Sequence, residues 1–195
     1  MQKQAAIDAL QSEIISKHIC PELAVQATQL VMGDGNPDAD IVLIGEAPGK
    51  HEDEQGKPFV GAAGKFLNEM LSQAGMERGD VYITNIVKYR PPHNRDPLPE
   101  EKAAFLPYLL RQLEIIDPKA IVTLGRHSME YFLPNAKISQ IHGRATRKKV
   151  IYHDKSEREW LIIPLYHPAA ALYNGSMRQT LIDDFLAVPE IIGRA

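Results

Sequence analysis

Four apolar runs in this sequence each deliver a residue that can do chemistry. Glu46 comes just after residues 41–44, and Asn85 lies late in residues 81–87. Gly125-Arg126 follows residues 120–124, and His167-Pro168 follows residues 160–165. If these runs are parallel strands, their carboxyl ends share one edge of a sheet, where ligands of open α/β sheets bind. A carboxylate, an amide, a cation and an imidazole would then line one pocket. Such a set supplies a proton acceptor, a hydrogen-bonding edge, an anion partner and a group that titrates near neutrality.

Several standard constellations are absent. There is no Walker phosphate loop, no Gly-x-Gly-x-x-Gly, no Gly-x-Ser-x-Gly and no His-Glu-x-x-His. Asp34, Asn36, Asp38 and Asp40 alternate like the start of a calcium loop. Ala39 stands where that loop wants glycine, however, and Gly45 where it wants a bidentate glutamate. A turn before a strand is expected instead. His51-Glu52-Asp53 offers metal-ligand types, but three adjacent residues seldom converge on one ion, so no metal is expected. The one cysteine, Cys20, excludes an intramolecular disulfide framework and any metal site needing several thiolates from this chain.

The elements that must position these residues follow from periodicity. Residues 5–15 read as an amphipathic helix with Ile7, Leu10 and Ile14 on one face. Residues 33–38 read as a loop by composition. Residues 62–75 carry Phe66, Leu67, Met70, Leu71 and Ala74 at helical spacing, with Gly75 placed to end the helix. Residues 81–87 form a second strand, broken by Pro91-Pro92. Pro99 opens a helix to about residue 116, with Glu100 and Glu101 suiting its dipole. Residues 126–133 read as a short helix, and residues 150–152 and 160–165 as a pair around Asp154-Lys155-Ser156. A last helix starts near Ser176, where Ser176 and Gln179 have capping-box spacing. Strands alternating with helices predict a three-layer α/β/α fold with a central, mostly parallel, four-stranded sheet.

Length and composition agree with this. The chain has 195 residues, 44% apolar and 24% charged, which suits one domain with a sizeable core. The whole chain, 1–195, reads as one domain with residues 1–32 as a helical arm packed on it. No apolar run approaches the ~20 residues of a bilayer span, and no signal-peptide pattern follows Met1. No membrane association is expected, and a cytoplasmic location is. Net charge is −3 but uneven: residues 1–54 hold three Lys/Arg against ten Asp/Glu, and the remainder nineteen against fifteen. Two basic clusters, Lys88/Arg90/Arg95 and Arg144/Arg147/Lys148/Lys149, allow phosphate contacts without requiring them.

The most informative stretch is Gly45-Glu46-Ala47-Pro48-Gly49, then Glu52-Asp53, then Gly56-Lys57-Pro58-Phe59-Val60-Gly61. Here the sequence closely resembles the uracil-DNA glycosylase superfamily, and within it the family-four enzymes. Three further segments resemble that family in order: Thr84-Asn85-Ile86-Val87-Lys88, Arg90-Pro91-Pro92-His93-Asn94-Arg95, and His167-Pro168-Ala169-Ala170. The likeness runs from about Gly33 to the last helix.

The resemblance implies hydrolysis of the N-glycosidic bond of deoxyuridine in DNA, releasing uracil and leaving an abasic site for base excision repair. Such an enzyme must take the base out of the duplex before holding it. Phe59 would stack on the flipped uracil, in a pocket that includes Gly45 and Ala47. Asn85 would read its edge, donating to O4 and accepting from N3–H. His167 is the catalytic candidate, a donor at uracil O2 where negative charge develops. Glu46, Glu52 and Asn94 are further catalytic candidates, for positioning water or stabilising positive charge on the sugar. Glu52 has a second reading, crowding the C5 position against thymine's methyl. The roles of the three are not divided. Arg126 and Arg144, with backbone N–H groups of residues 45–49, would bind phosphates. Leu172 or Tyr173 would fill the hole left by the flipped base, or else pack on the last helix.

The sequence departs from the family in one respect. Family-four enzymes resemble one another in four cysteines that hold an iron-sulfur cluster. The matching positions here are Lys17, Cys20, Tyr89 and Phe105, so no cluster is expected. Tyr89 and Phe105 would fill that volume by aromatic packing. The expected partner is uracil-containing DNA and the expected state a monomer. Two rivals remain: a non-catalytic binder of damaged or single-stranded DNA, and a glycosylase for other deaminated bases.

Overall fold

The structure, a computed structural model, describes residues 2–152 and 154–193. Six strands form one sheet: β1 (Asp34–Gly35), β2 (Ile41–Gly45), β3 (Tyr82–Asn85), β4 (Ala120–Leu124), β5 (Thr146–Ile151) and β6 (Glu157–Leu165). Their order is β1-β3-β2-β4-β6-β5. The inner four, β3, β2, β4 and β6, are mutually parallel. The expected count of four is therefore corrected to six, by an antiparallel strand on each edge. β1 is only two residues long and sits in a stretch whose Gly, Asn and Asp content reads as loop. β5 extends the expected pairing, since the register runs from Ile151↔Glu157 back to Thr146↔Ile162.

The two faces follow from side-chain alternation along each strand. Val42 and Ile44 of β2 point into one core, with Ile121, Ile162 and the helix Pro99–Ile116. Leu43 points into the other, with Val122, Ile163 and the helices Ala62–Gln73 and Met177–Leu186. Because both faces are covered, residues 41–44 of β2 and 160–165 of β6 are continuous apolar runs rather than alternating ones. The helix Gln2–Ser16 buries Ile7, Leu10 and Ile14 in the first core. Buried Asp53 fastens the chain that follows this helix, accepting the backbone N–H and the hydroxyl of Thr28, each at 2.9 Å.

Two helix ends compare differently with the sequence. Gly75 (φ 70°) closes the helix Ala62–Gln73 with Gly75 N–H donating to Ser72 O and Met76 N–H to Leu71 O, the Schellman pattern. The capping box at Ser176 does not form. Asn174 Oδ1 takes both the N–H and the hydroxyl of Ser176, and Gln179 donates to Asp183 instead. A neighbouring Asx turn outcompetes the cap for the same hydroxyl. Among the described residues, no helix is long and apolar enough to cross a membrane.

Candidate active site

The carboxyl ends of β2, β3 and β6 open into one cavity of about 480 Å³. Its lining includes Glu46, Ala47, Glu52, Phe59, Asn85, Asn94, His167, Leu172 and Tyr173, nine of the sequence-derived candidates. These residues come from segments more than a hundred positions apart. The parallel register, with Gly45 opposite Asn85, brings them to the same level.

Two glycines make the floor possible. A side chain on Gly45 would collide with the Asn85 carboxamide and the Phe59 ring. One on Gly125, at the end of β4, would meet His167 Cβ at 3.1 Å, and its φ of 99° disfavours any other residue. The Phe59 and His167 rings lie 5.6 Å apart, centre to centre, tilted by 32°. Phe59 itself has φ 51°, a left-handed conformation that costs a non-glycine residue about 1–3 kcal/mol. Glu52 offsets part of this strain: its Oε1 accepts the N–H groups of Val60 and Gly61, each at 2.9 Å. Glu52 is thus committed, at least through one oxygen, to shaping the loop after Phe59.

Asn85 is almost fully buried, and its Oδ1 has no hydrogen-bond partner among the described residues. An unsatisfied buried acceptor costs roughly 1–3 kcal/mol, so a ligand donor reaching it is correspondingly favoured. His167 Nδ1 accepts the N–H of Ala169 at 3.1 Å. That bond assigns the ring proton to Nε2. Burial pushes the His167 pKa down to about 4, against the pull of Glu52 in the other direction. The imidazole is therefore neutral near pH 7 and presents a single N–H donor.

Glu46 stands where the cavity meets charge. Its Oε1 is buried without a hydrogen-bond partner among the described residues, and burial raises its pKa to about 6. Lys102 Nζ lies 3.8 Å and His127 Nδ1 3.7 Å from that oxygen. His127 Nε2 lies 3.5 Å from Asp96. Glu46, Asp96 and His127 bring three ligand atoms within 4.8 Å of one another. Lys102, and Arg126 at 3.3 Å from His127 Nε2, place two cations beside them, which disfavours a metal ion. Asn94 is exposed on the rim, and its Oδ1 accepts from Arg90 Nε at 2.7 Å.

The phosphate candidates Arg126 and Arg144 fall outside the cavity lining. Both are exposed nearby: Arg126 follows β4, and Arg144 follows Gly143, whose N–H donates to Pro164 O near the end of β6. Leu172 and Tyr173 are 49% and 91% exposed at the mouth, on the short helix Ala170–Tyr173 that lies beside the helix Met177–Leu186. The first basic cluster is not a surface patch. Lys88 is fully buried, and Arg95 makes a two-pronged pair with buried Glu101 at 2.9 and 2.6 Å. In the second cluster, Arg147 pairs with Glu159 and Lys148 donates to Phe132 O. Sequence reasoning passed over Lys102 and His127. Gly125 was legible as the glycine ending a buried strand, but its close approach to His167 was not. For Lys102 and His127, each on a helix facing Glu46, there was no signal.

The positions matching the family's cluster ligands do not fit a cluster. Lys17 is a mostly exposed ammonium paired with Glu13. Tyr89 and Phe105 pack edge to face at 6.0 Å. Cys20 is buried, and that burial pushes its thiol up to about 12, opposite to what a thiolate ligand needs.

Comparison with known proteins gives a consistent picture. Residues 32–188 match the family model described as the uracil DNA glycosylase superfamily. The chain is 45% identical over 192 residues to a type-4 uracil-DNA glycosylase of Sulfurisphaera tokodaii, covering 95% of this chain and 84% of that protein. It is 44% identical to one of Archaeoglobus fulgidus (97% and 94% covered) and 42% identical to one of Thermotoga maritima (88% and 90% covered).

Proposed function

The chain belongs to the uracil DNA glycosylase superfamily, in its type-4 family, and from that premise we infer that it hydrolyses the N-glycosidic bond of deoxyuridine in DNA. The products are free uracil and an abasic site, the opening step of base excision repair.

The proposed course uses the cavity as it stands. An everted uracil enters over Gly45 and stacks on Phe59. Its N3–H meets Asn85 Oδ1, and the amide's NH₂ meets O4. The Nε2–H of His167 meets O2, where charge gathers as the base departs. A donor fixed there is stronger in the transition state than in the ground state. Glu46 steadies the positive sugar and receives a proton from the attacking water. Glu52 shapes the loop that carries Phe59, and Asn94 holds water at the rim. Arg126, Arg144 and the backbone N–H groups of residues 45–49 grip phosphates. Leu172 and Tyr173 fill the gap left in the stack; their exposure at the mouth supports this.

The observation that carries the reading is the buried Asn85 Oδ1, without a partner among the described residues, in the cavity that His167 also lines. The protein works without an iron-sulfur cluster, as a cytoplasmic monomer; the donor set at Lys17, Cys20, Tyr89 and Phe105 supports the first point. A panel of oligonucleotides, each bearing one modified base and treated with alkali after incubation, tests the function. Strand breaks at uracil are expected. Breaks only at hypoxanthine or xanthine, or binding without breaks, would replace this reading.

A further inference from the structure

Phe59 sits between opposite charges. Arg78, in the turn Arg78–Asp80 ahead of β3, donates through Nη2 to Pro58 O at 2.8 Å and through Nη1 to Phe59 O at 3.0 Å. Glu52 takes the next two backbone groups, the N–H of Val60 and of Gly61. Four consecutive residues thus each have a backbone group held by a charged side chain, two carbonyls by the cation and two amides by the anion. Arg78 is itself fixed: Nη1 also reaches Asn68 Oδ1 at 3.1 Å, and Nη2 lies 3.8 Å from Asp34. On the remaining side, Gly64 lets the helix Ala62–Gln73 press against the Phe59 carbonyl, where a side chain would collide. The left-handed φ of Phe59 is what this enclosure maintains.

We propose that Arg78 is a positioning residue for base recognition: its guanidinium holds the carbonyls of Pro58 and Phe59 so that the strained Phe59 presents its ring to the everted base in line with Asn85 and His167. This rests on the reading that uracil stacks on Phe59. The guanidinium is the suitable group because its planar fork serves two successive carbonyls and Asn68 together. An ammonium is a single point donor. Arg78 does not reach the cavity lining, so it acts through Phe59 and not on the substrate.

The test is a double-mutant cycle in single-turnover excision from a uracil oligonucleotide, run well below the melting midpoint of every variant. Arg78→Met keeps the apolar stem and removes the donors. It is expected to slow excision about 10- to 100-fold, the cost of misplacing a group by around an ångström. In a Phe59→Ala background the same change is expected to cost little, since the ring it positions is gone. An equal cost in both backgrounds, or a wild-type rate for Arg78→Met, overturns the proposal. If Arg78→Met does not fold, Arg78→Lys takes its place, with a smaller loss expected and the same dependence on Phe59 required. Full activity of Phe59→Ala alone overturns the stacking reading, and the proposal with it, whatever Arg78 does.

Discussion

His167 Nδ1 is held by the N–H of Ala169, two residues further along the same loop, and that one bond leaves Nε2 as the ring nitrogen that can donate to a ligand. With Nδ1 accepting, the proton resides on Nε2, and the buried ring stays neutral to about pH 4. His167→Ala is expected to lower single-turnover excision by about 10²–10³-fold, the usual loss for one donor at a developing oxyanion. Its circular dichroism should match wild type. Because the ring binds a proton less readily in the folded state than in the unfolded, its contribution to stability is complete above pH 6.5. It is lost as pH falls toward 4.

Glu46 sets a different pH dependence. Its pKa is raised to about 6 by burial, with Asp96 adding to the rise and Lys102 and Arg126 opposing it. If the carboxylate form serves the reaction, excision falls tenfold per pH unit below about 6. Glu46→Gln is expected to be slow and to lose that limb. A log-rate profile from pH 5 to 8 for both proteins makes the comparison. An unchanged limb in the variant would move its origin to another group.

How much of this was legible beforehand depends on range. The strand β2 announces itself as an apolar run and β4 as one interrupted only by Thr123, and a buried parallel sheet follows from nearby residues alone. The loop from Gly45 to Gly61 is likewise written in consecutive positions. What the sequence hid is set by distant partners. Lys88 follows a strand beside Arg90 and looks like surface charge. Only the tertiary fold reveals that Thr84 and Gln112 enclose it. Arg78 lies in a charged turn, and nothing local points to Pro58 and Phe59. The edge strand β1 pairs through two residues, below any periodicity.

The proposed function has Asn85 read the base edge through an oxygen that has no other partner among the described residues. Asn85→Asp replaces the NH₂ donor with a second acceptor, which opposes uracil O4 and suits the N4 amine of cytosine. Excision of uracil should fall on the order of 10²-fold, from the penalty of mispaired buried groups. Cytosine release should rise above the wild-type level, read as alkali-labile breaks at cytosine in a uracil-free strand.

Leu172 and Tyr173 stand out from the mouth of the cavity. If they fill the gap in the stack, their value lies in duplex DNA, where a partner base and neighbours must be unstacked at a cost of a few kcal/mol. Leu172→Ala with Tyr173→Ala should reduce excision from a duplex about tenfold or more. Excision from the matching single strand should barely change. Equal losses on both substrates would assign the pair to general DNA contact.

Lys88 is the group whose burial is hardest to accommodate. Its Nζ donates to Thr84 Oγ1 at 2.6 Å, Asn85 O at 2.9 Å and Gln112 Oε1 at 2.6 Å, so each proton is used, but all three acceptors are neutral. Burial pushes its pKa down to about 7. Above that pH the folded protein carries fewer protons than the unfolded chain, whose lysine titrates near 10.5, so stability must rise with pH. The limiting slope is about 1.4 kcal/mol per pH unit. Cys20, with its thiol raised to about 12, and the buried tyrosines Tyr82, Tyr131 and Tyr152, also raised, act in the opposite sense at higher pH. The clean window is therefore pH 7 to 8.5. Urea unfolding across it should give a rising stability for wild type and a flatter line for Lys88→Met. Equal slopes would mean that Lys88 stays charged on its three acceptors. Lys88→Met also frees the Asn85 carbonyl, so a fall in uracil excision at unchanged secondary structure is expected alongside.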